Sequence, residues 1–209
     1  KPPRPMAKDA FVSSRYDEVE RSVIQHIEAK GRIDHDWIAQ IIRTSMSETI
    51  DYLIANQATA FRTGYAQFGD IRSQNFINSI ASARMVFRER AELYIDKLVR
   101  DTIASLRRNV RNDSEESIIA LTKAVFDTLK YRTDFIEYVE VKKAQSLGLA
   151  LSIRDSGQRF VMIQGSGGGC EQCKQESNLD SFNMIMDDVP PFHANCECRI
   201  LLDKGSRGL

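Results

Sequence analysis

Residues 71–110 read IRSQNFINSIASARMVFRERAELYIDKLVRDTIASLRRNV, a stretch with neither proline nor glycine. Its apolar positions Phe76, Ile77, Ile80, Ala83, Phe87, Leu93, Tyr94, Leu98, Ile103 and Leu106 recur at the three- and four-residue intervals of one helix face. With good helix formers between them, the spacing predicts one long helix. Such a helix is too long for a compact bundle to hide. It either packs against neighbours in an oligomer or breaks near Arg88 to Ala91 into a hairpin, and both readings stay open.

Towards the N-terminus, Lys1-Pro2-Pro3-Arg4-Pro5 excludes helix and central strand, because proline fixes its own torsion and restricts the residue before it. Residues 1–12 are therefore assigned as an extended arm, and residues 13–112 as a helical interaction region. Ser13 or Ser14 is positioned to cap a first helix through Tyr16, Val19, Val23, Ile24 and Ile27, ending at Gly31. Asp34 or Asp36 would cap a second, longer one through Trp37, Ile38, Ile41, Ile42, Met46, Ile50, Leu53 and Ile54. A turn or kink is expected around Gly64 and Gly69.

Towards the C-terminus, Asp113-Ser114-Glu115-Glu116 supplies a cap and an acidic first turn for a helix through Ile118, Leu121, Val125, Phe126 and Leu129. A further helix is expected from Thr133 to about Ile153, so that helices occupy 113–156, with Gly157 as the stop. The texture then changes. Arg159 to Ile163 is a short β-type run, and Arg199 to Leu202 is a closing strand suited to pair with Phe160 to Ile163 as a short β-hairpin. The glycines from Gly165 to Gly169 lack the lysine, hydroxyl and succeeding helix of a phosphate loop, and fit a tight backbone turn leading into Cys170. The predicted fold is mainly α, with a small α+β zinc-knuckle-like module over 158–202 inside a 113–202 domain, and a tail at 203–209.

All four cysteines fall in that module: Cys170 and Cys173 as a Cys-x-x-Cys pair, then Cys196 and Cys198 after Pro190-Pro191-Phe192-His193. Two thiolates separated by two residues reach one ion from a single turn, and His193 with the later pair can complete a tetrahedron. Five candidate ligands compete for four places, which favours a closed, structural Zn2+ site over a catalytic one that keeps a place for water. Spacing does not say which ligand is surplus. Two disulfides or clustered free thiols remain the alternatives, although no signal peptide with an apolar core opens the chain.

The 29 basic and 29 acidic residues cancel, so affinity for nucleic acid must be local rather than general. Arg107, Arg108 and Arg111, with Arg100 a little earlier, are the candidates for phosphate contact. The same arginines also suit the C-terminal end of a helix dipole, and no aromatic stacking platform is interleaved with them. No apolar run approaches a membrane span, and no membrane partner is expected. The chain begins at Lys1 without an initiator methionine, so its native start is expected to be processed or to lie further upstream.

The order of a helix bearing Glu140, a stop at Gly157, a short strand, a Cys pair and Pro-Pro-x-His-x-x-Cys-x-Cys resembles the Mu F-type minor head proteins of bacteriophages. The resemblance covers roughly Leu106 to Leu202, and its specificity lies in the helix and the cysteine pattern together. Ile163 stands where the family often has Trp. Glu171, Gln172 and Glu197 stand where it has Pro or Arg inside the cysteine pairs, and the Lys174–Asp188 loop lacks its usual glycine. The resemblance implies a non-enzymatic minor capsid component. It would associate with portal and major capsid protein in several copies or as a homo-oligomer, inside the head near the portal vertex after assembly in the host cytoplasm. It would assist head assembly and the packaging or ejection of DNA. Two competing expectations are a nucleic-acid-binding zinc module and, third, a metal-dependent hydrolase with Glu197 or Glu140 as base. Replacing Cys173 is expected to release metal and unfold about 158–202 while the N-terminal helices persist.

Overall fold

A computed structural model describes residues 11–110, 114–158, 160–163, 189–191, 196 and 198–202. Within them the chain is mainly helical: α1 (Phe11–Lys30), α2 (His35–Tyr65), α3 (Gln74–Asn109) and α4 (Glu115–Asp155), followed by β1 (Phe160–Ile163) and β2 (Arg199–Leu202).

The helix ends follow the local chemistry. Asp34, rather than Asp36, caps α2: its Oδ1 accepts from the Trp37 N–H at 3.0 Å, and that bond holds the Asp34 carboxyl below its ordinary pKa. Ser73 caps α3 by accepting from the Phe76 N–H at 3.1 Å. At the other ends, Gly31 adopts φ 66° and returns its N–H to the Ile27 carbonyl. Gly157, at φ 73°, donates to Arg154 while Gln158 donates to Ile153, the paired bonds of a Schellman stop.

Three expected features change, and the open choice between the two readings of α3 is settled. Helix α1 already includes Phe11, so Ser13 and Ser14 lie inside it. Ser13 is buried, and the Ser14 hydroxyl bonds back to the Phe11 carbonyl instead of capping. Helix α2 continues through Gly64 to Tyr65, so the expected turn lies at 66–69 and includes Gly69 but not Gly64. The expected pair of helices beyond residue 113 is one helix, α4. No Gly or Pro separates Leu129 from Thr133, and the Thr133 hydroxyl is satisfied by the Lys130 carbonyl at 2.7 Å. Helix α3 is unbroken at Arg88 to Ala91 because its buried stripe, Ala83, Phe87, Ala91, Ile95, Leu98, Thr102 and Leu106, passes through that point in phase. Ile77 and Leu93, which the apolar spacing assigns to that stripe, are exposed.

The chain divides into two compact units. The first comprises residues 1–52 and 88–137. In it Tyr16 of α1 bonds Thr102 of α3 at 2.8 Å and packs on Phe126 of α4 with ring centroids 5.0 Å apart. His26 of α1 stacks on Trp37 of α2 at 4.0 Å. Ion pairs join Lys130 to Asp17 and Arg43 to Asp96 at its surface.

The second unit comprises 53–87 and 138–209. Its core gathers Phe61 and Tyr65 from α2, Ala83 and Phe87 from α3, Ala144, Leu147, Ala150, Leu151 and Ile153 from α4, and also Val189 and Ile200. Phe61 is its centre, within 6.4 Å of the rings of Tyr65, Phe76 and Phe87. Two glycines let α2 and α4 touch backbone to backbone. A Cβ on Gly64 would strike the Gln145 carbonyl oxygen, and one on Gly148 the Phe61 carbonyl oxygen. The Tyr65 hydroxyl donates to Asp155 Oδ2 at 2.7 Å, tying the end of α2 to the end of α4 just before β1.

Candidate metal centre

Strands β1 and β2 pair antiparallel as the sequence predicts, with Phe160 opposite Leu202 and Ile163 opposite Arg199. The cysteine-rich part of the chain lies between them. On β2 the alternation is that of a strand with one face on a core: Arg199 and Leu201 are exposed while Ile200 is buried. Cys198 and Cys196 precede Ile200 by two and four residues and are both half-buried, within reach of an ion without being sealed in apolar surroundings. Upstream, Val189, Pro190 and Pro191 are buried.

Cys170, Cys173 and His193 lie outside the described residues, as do Glu197 and Arg111. Among the described residues no group of three or more His, Cys, Asp or Glu side chains is placed to hold a metal ion. The structure thus brings two of the five candidate ligands, Cys196 and Cys198, to the start of a strand anchored in the second unit's core. Thiolate and imidazole donors are the set that suits zinc, and the half-buried Cys196 and Cys198 are of that donor type.

Glu140 is 2% exposed on α4. Gln57 of α2, itself 1% exposed, donates Nε2 to Glu140 Oε2 at 3.5 Å, and Lys143 is buried one turn further along α4. Gln57 and Lys143 escaped the sequence reading. Gln57 was detectable, since it sits four residues from both Leu53 and Phe61, in phase with the apolar stripe of α2.

Arg107 and Arg108 are exposed in the last turn of α3. In the first unit, desolvation and the nearby Arg107 charge both push His35 below its ordinary pKa. A cleft of about 230 Å³ in the second unit is lined by Asn78, Ser79, Ser82, Ala83, Val86, Leu147 and Leu151. It offers no titratable group, so it supplies neither acid nor base. No described helix is long and apolar enough to cross a membrane.

No family model, curated protein or solved structure matches this chain.

Proposed function

We propose that this chain is a structural minor head protein of a bacteriophage, of the Mu F type, with no catalytic activity of its own. The observation that carries the reading is the sequence constellation itself: Glu140 on a long helix, the stop at Gly157, a short strand, Cys170 and Cys173, and then Pro190-Pro191 with His193, Cys196 and Cys198. The antiparallel pairing of β1 with β2 supports it, because that pairing brackets the Cys/His segment with a rigid element on each side. In this reading four of the five ligands hold one structural Zn2+, which supplies local rigidity where a small module's own apolar core would be too small. The long helices present the surfaces on which portal and major capsid protein dock, in several copies inside the head at the portal vertex.

The test is expression with the portal and capsid proteins of the same phage, followed by purification of assembled particles and native mass spectrometry of the chain with and without chelator. Co-purification at a fixed stoichiometry with one zinc per chain is the expected outcome. A chain that stays free of particles, or that carries two disulfides and no zinc, would sink the reading.

A nucleic-acid-binding zinc module is the second reading, favoured by the exposure of Arg107 and Arg108 side by side at the end of α3. It predicts DNA affinity that falls steeply with salt and weakens evenly across sequences in Arg107→Ala and Arg108→Ala.

A further inference from the structure

In the first unit, the outer face of α3 carries a pattern that the buried stripe does not use. Glu89, Leu93, Asp96, Arg100, Ile103 and Arg107 follow one another at intervals of four, three, four, three and four residues. At about 100° per residue they fall within an arc of about 80°, on the far side of the helix from the stripe through Ile95, Leu98 and Thr102. Ile103 is half-buried and the others are exposed, so none of α1, α2 and α4 covers this face. Leu93, at 58%, is the exposed large apolar side chain among the described residues of the first unit. Spacing that alternates between three and four residues is the seam along which one helix packs on another.

The charges decide which second helix fits. The pattern is complementary to its own reverse: Glu89 matches Arg107, Leu93 matches Ile103, and Asp96 matches Arg100. Two copies laid parallel would set Glu89 against Glu89 and Arg107 against Arg107. Laid antiparallel about a two-fold axis beside Leu98, each seam residue of one copy faces its match in the other. A two-fold contact uses the same patch on both copies and must complement itself in this way, and opposite charges fix its register. A phosphate surface, by contrast, has no use for Glu89 and Asp96 on the same stripe. We propose that this face of α3 is an antiparallel, two-fold contact between two copies of this chain. Asp96 also meets Arg43 of α2 at 3.6 Å, an exposed pair that Arg100 of a second copy joins at little cost. Lys97 lies beside the axis on both copies, in water that screens the repulsion. The proposal stands on α3 alone and does not depend on the head-protein reading.

The experiment is sedimentation equilibrium on the whole reduced chain without nucleic acid, with far-ultraviolet circular dichroism to verify that each variant keeps its helices. A contact this small makes a weak dimer. At about 50 mM salt a dissociation constant on the order of 100 μM is expected, rising at least about threefold at about 500 mM salt. Glu89→Arg and Arg107→Glu are each expected to weaken association by at least about tenfold, because either one sets like charges together at both ends of the contact. Mixed in equal amounts, the two variants are expected to pair with each other as tightly as the unaltered chain pairs with itself, since opposite charges then meet at both ends. Leu93→Ala, which trims both apolar layers, is expected to weaken association by about tenfold. A chain still monomeric at about 1 mM would overturn the proposal. A dimer indifferent to the charge reversals would place the contact on another surface and overturn it too. So would two helical, monomeric variants whose mixture stays monomeric.

Discussion

The two units hold their helices together by different means. In the first, helices meet through long side chains that reach across: Tyr16 to Thr102, Tyr16 to Phe126, His26 to Trp37, and Lys130 to Asp17. In the second, α2 and α4 meet at Gly64 and Gly148, where backbone lies on backbone, and an aromatic cluster fills the space beside the crossing. Side chains that reach can shift a rotamer when a neighbour changes. A backbone contact has no such freedom, because helix separation is set by the residues at the contact. The second unit also draws Val189 and Ile200 from late in the chain, whereas the described core of the first is helical throughout. The second unit's crossing thus leaves less room for a larger side chain, and its core draws on distant parts of the sequence.

The largest expected effect is in the second unit. Phe61→Ala removes the ring around which Tyr65, Phe76 and Phe87 gather, and is expected to cost about 4 kcal/mol in chemical denaturation. A loss under about 1 kcal/mol would mean the cluster collapses freely. Next comes Gly148→Ala, expected to cost about 3 kcal/mol because the new methyl meets the Phe61 carbonyl rather than a movable side chain. Gly31→Ala is its control. Nothing lies within 4 Å of a Cβ there, and only the φ of 66° is strained, so about 1 kcal/mol is expected. Equal losses in the two glycine variants would erase the proposed difference between the units.

In the first unit, Tyr16→Phe removes a buried hydroxyl while the Thr102 hydroxyl keeps its bond to the Leu98 carbonyl at 2.7 Å. A loss of about 1 kcal/mol is expected, read from the denaturation midpoint. The smallest effect is on pH. The folded-state pKa of His35 is depressed by desolvation first and by Arg107 second, with Asp34 and Asp36 opposing. Folding therefore disfavours its charged form. The contribution is fully present above the unfolded value of about 6.5 and is lost as pH falls from there through the folded value. Thermal denaturation between pH 7.5 and pH 5 should show a slightly steeper decline for the unaltered chain than for His35→Gln. Parallel curves would remove His35 from the account.

Much of the helical layout was legible because local rules govern it. Apolar spacing marks α1 and α2, and the glycines at 31 and 157 stop their helices by adopting positive φ. The β1–β2 pairing was legible too, from two short β-type runs of matched length. Local rules misled where a side chain could serve two roles. Ser13 and Ser14 are good caps by type, yet they lie inside α1, and a threonine that suits a helix start, Thr133, sits comfortably in mid-helix. At the candidate site, the cysteine spacing was visible at once, while the burial of Glu140 against Gln57 was not, because the pairing joins residues 83 apart.

By itself, then, the sequence determined the helical class, the stops at Gly31 and Gly157, the strand partners and the clustering of soft metal ligands. Each of these depends on torsional preference or on spacing within a few residues, apart from strand pairing, which two compatible edges suffice to specify. Only the tertiary structure decided that α3 and α4 run unbroken, that Gly64 serves a helix crossing with Gly148 rather than a turn, and that Val189 and Ile200 belong to the helical core. Those outcomes turn on which surfaces meet across long separations in the chain. A glycine's missing side chain carries no mark of the backbone that will fill its place.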